Sequence, residues 1–436
     1  MKLLVISDDF TGALDTGAQF AGKGLATKVL NQVPEGSSMW SQTLEEMQTC
    51  TPIQVLVVDA QTRHLDGEEA YRKVWSLVKA AKEAKIPYIY KKTDSGLRGN
   101  IGKELEAALM ASGEQYLTFI PAFPAMDRIT VGGIHYVEGV PIHESAFGRD
   151  PFEPVLSARV EDLFCQVPLR TALYGESGPY ERGGGREIGI FDASTQAHME
   201  KILKELMGRG QLGVMAGCAG FASVVGDFLR LESRKEELQK ADPQTPLIMD
   251  RLLIICGSIN EITRGQIEYA EKNGMKRITL TPGQQFTRDY LQSQEGRSWL
   301  CGVKQDCEAG VTCVIETGIS HMEQVEAFRR KYSIPLDEAR VTISKTLGRI
   351  LKHLLKMGLE ATIMIIGGDT LASFMQETGC GEITIYRELD QGTVLSSVRV
   401  GGREQWVISK SGGFGEPQLL MEVEQLVKRN FSMLAM

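Results

Sequence analysis

Lys92, Asp94 and Arg98 fall within one short stretch, Tyr90–Gly102 (YKKTDSGLRGNIG), and could together handle an anionic substrate that carries a hydroxyl group. Lys91 or Lys92, Arg98 and the first amides of a helix beyond Gly99 would concentrate positive potential, which suits a carboxylate or a phosphate. Asp94 in their midst could accept a proton from a hydroxyl or fix its orientation. The plainer alternative is a solvated turn in which Asp94 pairs with Arg98. A second stretch, Val5–Asp15 (VISDDFTGALD), sets Asp8 and Asp9 before a helix that begins near Thr11 and Gly12. Adjacent aspartates cannot both point the same way, so one is expected to face a ligand and the other to cap the helix. In the bland alternative both cap it.

The second half of the chain offers glycine loops instead of charge. Gly257-Ser258-Ile259-Asn260 and Gly367-Gly368-Asp369-Thr370 each join an apolar run to a helix, and Ser411-Gly412-Gly413-Phe414-Gly415 follows Lys410 and precedes a helix from Gln418. Glycine there lets backbone amides approach phosphate oxygens, and the helix dipole favours the negative charge. One such loop is weak; three in one half make a nucleotide plausible. GxxxxGK[ST], a strand-borne GxGxxG, and the HRD and DFG motifs are all absent, which excludes a P-loop protein and a protein kinase.

Short apolar runs must position these residues. Leu3–Ile6, Ile53–Val58, Tyr88–Tyr90, Tyr116–Ile120, Leu252–Cys256, Val311–Ile315 and Thr362–Ile366 read as buried parallel strands, which lack one-sided alternation. Amphipathic helices lie between several of them. Asp66 starts one, with Glu69 in the capping-box position and Ala70, Val74, Leu77 and Ala81 on one face, ending near Lys85. The pattern predicts an α/β protein of two domains, each a mainly parallel sheet flanked by helices, with the active site in the interdomain cleft. Charged Leu229–Pro246 reads as a helix end and linker. It puts the boundary near residues 235–250 and divides the chain into 1–240 and 241–436. From Ala122 to Gly185 the chain reads as loop, and a long loop usually binds or covers a ligand. His64, just past the Ile53–Val58 run, could touch substrate or be only a loop contact.

At 436 residues, two domains is also the natural prior from length. With 42% hydrophobic and 24% charged residues the chain reads as globular, and a net charge of −8 disfavours nucleic acid as partner. The eight cysteines include no CxxC, and the six histidines no metal-ligand spacing, so no metal site is read from them. No apolar run approaches the roughly 20 residues of a membrane span, so neither a membrane partner nor a signal peptide is expected and the protein is placed in the cytoplasm.

Several long motifs in one order resemble the four-carbon acid sugar kinase family. They are SDDFTGALDT, TRHLDGEEA, KKTDSGLRGNIG, the PAFP…YVEGVPIHES…RDPF segment, GSINEITRGQI, GGDT and KSGGFG, and they span nearly the whole chain. The resemblance implies an N-terminal domain that binds a small sugar acid and a C-terminal domain that binds ATP. It implies that Asp9, Arg63, Lys92, Thr93, Asp94 and Ser95 contact the acid sugar, and that Ser258, Gly367, Gly368, Asp369, Thr370 and Gly413 hold the nucleotide. KTDSGLRGN looks more like the D-threonate and D-erythronate kinases than the 3-oxotetronate kinases. Two departures stand out: Gly96 where the family more often has threonine, and Asp127 where a glycine is expected before Arg128. An added carboxylate at Asp127 would disfavour an anionic substrate.

The reaction this implies is transfer of the γ-phosphoryl of Mg-ATP to the terminal C4 hydroxyl of a four-carbon acid sugar. Arg63 and Lys92 would bind the carboxylate or steady the phosphoryl charge, and Asp94 or Asp9 would orient or deprotonate the hydroxyl. Mg²⁺ would sit mainly on ATP phosphates and water, with one carboxylate such as Asp369. Closure over both substrates is expected, and a homodimer is the expected assembly. The rivals are a 3-oxotetronate kinase, a Rossmann-type oxidoreductase, disfavoured by the missing dinucleotide fingerprint, and a non-catalytic protein that binds sugar acid or nucleotide.

Overall fold

The computed structural model describes residues 1–33, 37–50, 53–150, 153–236, 249–258, 260–287, 289–317, 330–331 and 335–432. The chain forms two compact units, Met1–Ala241 and Asp242–Met436. Residues 237–248, where the sequence places most of the linker, lie outside the described residues. Among the described residues no helix is long and apolar enough to cross a membrane.

The first unit begins β1 (Leu3–Ser7), α1 (Phe10–Gly22), β2 (Thr27–Leu30), α2 (Ser37–Cys50), β3 (Val55–Asp59), α3 (Gly67–Glu83), β4 (Tyr88–Lys92), α4 (Ile101–Ser112) and β5 (Tyr116–Ile120). It continues through β6 (Arg128–Val131), β7 (Ile134–Val137), β8 (Val140–Pro141), β9 (Arg170–Tyr174), β10 (Glu187–Phe191), α5 (Gln196–Gly208), β11 (Val214–Gly217) and α6 (Ala219–Glu236). Its main sheet runs β2-β3-β1-β4-β11-β5-β10-β9, with parallel pairing throughout. The apolar runs are strands because a sheet covered on both faces buries every residue: β1, β3 and β5 are buried along their whole length, as is β10, which was not read from the sequence. β1 lies between β3 and β4, and Ser7 is level with both Asp59 and Lys92. This is where strand order reverses, and an open α/β sheet leaves its ligand crevice at such a point, beyond the strands' carboxyl ends. Asp66 does cap α3, accepting from the amides of Glu68 and Glu69.

The stretch read as loop is partly sheet. β6, β7 and β8 form an antiparallel meander. Its turns put Gly132 and Gly133 at φ 60 and 73, and Glu138 and Gly139 at φ 50 and 77. Such two-residue turns need φ above zero at both positions, so VGGI and VEGV are the local signals for these hairpins.

The second unit contains β12 (Leu252–Cys256), α7 (Glu261–Lys272), β13 (Lys276–Thr279), α8 (Pro282–Phe286), α9 (Gln294–Glu308), β14 (Cys313–Glu316) and α10 (Leu336–Lys356). Then come β15 (Thr362–Ile366), α11 (Gly368–Thr378), β16 (Glu382–Asp390), β17 (Thr393–Val400), β18 (Arg403–Lys410) and α12 (Leu419–Ser432). Here the order is β13-β14-β12-β15-β18-β17-β16. Pairing is parallel from β13 to β18 and antiparallel from β18 to β16. Cys256, Ile366 and Lys410 are level, so β12, β15 and β18 end together.

Two glycines in helices should respond oppositely to alanine. A Cβ on Gly102 of α4 would meet the Leu163 carbonyl oxygen at 2.0 Å, whereas one on Gly265 of α7 would meet nothing within 4 Å. Gly102→Ala should lose about 1–3 kcal/mol to overpacking. Gly265→Ala should gain up to about 1 kcal/mol from helix propensity. Urea denaturation of the two variants checks both; a stabilised Gly102→Ala would contradict the packing described.

Candidate active site

The strand ends of the first unit hold a compact charge cluster. Asp8 follows β1 and is almost fully buried; its Oδ1 lies 3.0 Å from Lys92 Nζ and its Oδ2 accepts from Arg63 Nε at 2.8 Å. Asp9 accepts from the amide of Gly12 at 2.9 Å and so caps α1, while its two oxygens pair with Lys92 at 3.1 Å and Arg63 at 2.7 Å. The alternatives for this pair thus merge, since Asp9 both caps and faces the cluster. Asp94 lies 3.7 Å from Arg63 and accepts from Arg98 Nε at 2.6 Å. Arg98 also reaches Asp150 at 3.2 Å. Burial raises the Asp94 carboxyl, but Arg63 and Arg98 outweigh it and hold it at about 2. Burial likewise opposes the charge on Asp8, and Lys92 with Arg63 hold it well below the usual range. Asp59, which ends β3 and accepts from the amide and side chain of Gln61, is pushed up by burial to about 7.

The geometry separates the two lysines that the sequence left as alternatives. Successive side chains of β4 point to opposite faces. Lys91 turns into the core against α4, with Nζ 3.2 Å from Glu104, which also accepts from the Thr62 hydroxyl. Lys92 alone faces the cluster, over the start of α1, where a Cβ on Gly12 would lie 1.8 Å from its Nζ. Glycine at position 12 is therefore a requirement of the site. Thr93 and Ser95 sit in the turn after β4. The Thr93 hydroxyl is buried without a partner among the described residues. Ser95 Oγ accepts from Arg128, and its carbonyl lies 3.2 Å from His135 Nε2, whose Nδ1 faces the Thr130 hydroxyl at 3.0 Å. Burial pushes His135 down to about 4, so it stays neutral and donates from Nε2. Arg128 and His135 come from β6 and β7, and sequence reasoning missed both because it missed that hairpin. His64 lies outside the cluster, exposed and 2.8 Å from Glu153. A cavity of about 510 Å³ opens beside the cluster, with Arg63, Arg98, Asn100 and Glu153 in its lining.

In the second unit the three glycine loops converge. A Cβ on Gly257 would lie 2.2 Å from Thr370 Oγ1, and one on Gly412 would lie 2.2 Å from Ser258 Oγ. Gly413 lies against Asn260, and Gly367, at φ 109, lies against the Ser258 amide. Gly368 and Asp369 open α11, whose N-cap Gly367 supplies no side-chain hydrogen bond. The loop after Lys410 is fastened to α7: Thr263 donates to the Gly412 carbonyl at 2.6 Å, and Gln266 Nε2 to the carbonyls of Phe414, Gly415 and Glu416. Ser258, Gly367, Thr370 and Gly413 are thus brought together. Among the described residues no group of three His, Cys, Asp or Glu side chains could hold a metal ion.

Two family models match the chain, a sugar-binding N-terminal domain over residues 3–225 and a nucleotide-binding C-terminal domain over residues 253–420. A D-threonate kinase from Salmonella typhimurium is 25% identical over 97% of each chain. A D-erythronate kinase from Heliobacterium modesticaldum is 25% identical over 94% of this chain and 93% of its own. The chain belongs to the four-carbon acid sugar kinase family. A 3-oxo-tetronate kinase from Brucella melitensis, 22% identical over 98% of this chain and 96% of its own, is also similar. The fold recurs in a solved structure from S. typhimurium LT2 (TM-score 0.77, 19% identity, 97% and 99% coverage). It recurs again in one from Haemophilus influenzae (0.73, 20%, 98% and 100%).

The two positions where the sequence reading expected a different residue have local physical settings. A Cβ at Gly96 would lie 2.4 Å from the Phe147 ring, which occupies the space a threonine would need. Asp127 is exposed at φ 49, a left-handed turn position where glycine is natural and aspartate is tolerated.

Separating the lysines gives a stability test. Lys91→Met strands the buried Glu104 carboxylate and should cost about 3–5 kcal/mol. Lys91→Met/Glu104→Leu should recover much of that loss in urea titrations. A single variant as stable as the parent would mean that Lys91 is not the partner of Glu104.

Proposed function

We propose that this chain transfers the γ-phosphoryl group of ATP to the terminal C4 hydroxyl of a four-carbon acid sugar, D-threonate or D-erythronate. The observation that carries the reading is the placement of Arg63, Lys92 and Asp94 at one reversal of strand order, in the unit that matches a sugar-binding domain. Arg63 is the residue we assign to the substrate carboxylate, since a guanidinium engages carboxylates in two parallel hydrogen bonds. Lys92 would steady charge on the transferring group. Asp94 would orient the acceptor hydroxyl rather than deprotonate it, because Arg63 and Arg98 hold it at about 2 and leave it a weak base. Asp9 would accept from a second hydroxyl, and Thr93 and Ser95 would complete the site, the Thr93 hydroxyl having no other partner among the described residues.

Ser258, Gly367, Gly368, Asp369, Thr370 and Gly413 would hold the nucleotide, whose phosphates fit bare loop amides and the start of α11. Mg²⁺ belongs to this reading as a companion of the triphosphate, with Asp369, in the first turn of α11, as the carboxylate candidate; when bound it would neutralise phosphate charge. Phosphoryl transfer needs positioning and charge neutralisation more than a protein nucleophile, which fits a site rich in charge.

A coupled ADP-release assay over D-threonate, D-erythronate, L-threonate and 3-oxotetronate tests the substrate. Turnover should be highest with one of the first two. Preference for 3-oxotetronate would move the chain to that branch, and no ADP release with any acid would leave a binding protein. With the preferred acid, Asp94→Asn should lower kcat/KM on the order of 10²-fold through lost orientation. An unchanged value would remove Asp94 from the site.

A further inference from the structure

The second unit buries a lysine where its three loops meet. Lys410 ends β18 and is 2% exposed. It is level with Ile366 at the end of β15 and with Thr393 at the start of β17. Its ammonium donates to the carbonyl of Ser411, the first residue of the glycine loop, at 2.9 Å. Among the described residues no carboxylate lies within ion-pair distance of it. The two buried lysines of the first unit differ in this respect: Lys91 has Glu104, and Lys92 has Asp8 and Asp9.

The groups facing Lys410 do not supply the missing charge. Cys256 of β12 is pushed up by burial to about 12 and stays neutral. Asp390, ending β16, attracts the ammonium only from beyond ion-pair distance. Glu316 of β14 and Arg277 of β13 act on Cys256 with opposite signs and pair with each other at 3.3 Å. Burial dominates and pushes Lys410 down to about 8. Beside it, the fully buried Thr393 hydroxyl has no partner among the described residues. An unpaired buried ammonium and an unpaired buried hydroxyl are both costly. Together, at the level of Ser258, Gly367 and Gly412, they mark a place prepared for an anion.

We propose that Lys410 is a phosphate-binding residue of the nucleotide site, its ammonium meeting the β- and γ-phosphate oxygens of ATP. The inference rests on the nucleotide reading above and extends it to a residue outside the glycine motifs. Lys410 is thereby the one buried cation of this unit whose counter-ion arrives with the ligand, among the described residues. Binding favours the ammonium form and raises its pKa. Affinity for ATP is therefore full below about 8 and is lost as pH rises through that value, approaching tenfold per pH unit above it.

Calorimetric titration of the full chain with ATP, ADP and AMP at pH 7 and pH 9 tests this, with circular dichroism to confirm folding. At pH 7, Lys410→Met should weaken ATP and ADP by about 10- to 100-fold and AMP by less than about threefold, the range of a charged hydrogen bond. Lys410→Arg should restore most of the ATP affinity and lose the fall between pH 7 and pH 9 that the parent shows. Equal ATP affinity in parent and Lys410→Met would overturn the proposal, as would equal losses for ATP and AMP. If Lys410→Met fails to fold, the Lys410→Arg profile decides: a fall with pH like the parent's would overturn it. If ATP fails to bind the parent at all, the nucleotide reading is overturned and the role of Lys410 with it.

Discussion

Arg63 and Lys92 share the carboxylates of Asp8 and Asp9 at the end of β1, and the backbone around them is arranged so that these charges meet. None could be buried alone, because an unpaired charge in a low-dielectric interior costs several kcal/mol or more. Asp8 is the most demanding, since it is buried and reaches both cations. Its neighbours follow from it. The amides of Thr62 and Arg63 donate to its own carbonyl, which fixes the loop that carries Arg63. Gly12 stays bare so that the Lys92 ammonium can pass over the first turn of α1. Asp9 then ties that turn to the cluster by capping the helix and pairing at once. The interactions that hold the fold here are the same ones that shape the site.

The two units treat charge differently, and the difference fits what each would bind. The first neutralises its cations internally, so an acid sugar would compete with resident carboxylates for Arg63. Competition of that kind favours specificity of geometry over raw affinity. Asp94 and Arg63, 3.7 Å apart, form the longest contact of the cluster and the one an incoming carboxylate could most easily take over. The second unit offers backbone amides and a lysine that, among the described residues, has no carboxylate within ion-pair distance, an arrangement suited to a multiply charged ligand.

Seven of the parallel strands were legible because burial on both faces demands uninterrupted apolar runs, and Tyr116–Ile120, Leu252–Cys256 and Thr362–Ile366 match their strands end to end, whereas the parallel β2, β9, β10, β11 and β13 were not read. The antiparallel strands were not. β17 and β18 carry Ser396, Ser397 and Ser409 as buried residues, and the Ser396 hydroxyl is satisfied by the Val407 carbonyl across the pair. A polar residue satisfied only by tertiary pairing looks like a loop residue in sequence. The site divides in the same way. Lys92, Asp94 and Arg63 were visible as charge in a turn or through motif likeness. The separation of Lys91 from Lys92 needed the strand's facing. The roles of Gly12, Arg128 and His135 needed contacts between residues distant in sequence.

Gly96 and the Phe147 ring fit together, the bare position leaving room for the ring. Where the motif likeness led to the expectation of a threonine, this chain has no side chain, and the Phe147 ring takes the space. The ring is then held between two guanidiniums, with Arg98 5.3 Å and Arg128 5.1 Å from its centre. Each arginine is committed elsewhere as well, Arg98 to Asp94 and Arg128 to Ser95. The ring therefore braces both ends of the Asp94–Ser95 turn through cation–π contacts worth about 0.5–2 kcal/mol each. A threonine hydroxyl at position 96 would instead bring a hydrogen-bonding group within reach of Asp94, whose Oδ2 already lies 3.0 Å from where a Cβ would stand. The exchange gives up a polar contact to the key carboxylate and replaces it with an aromatic wedge. The turn keeps its shape by packing, and Asp94 keeps Arg63 and Arg98 as its partners.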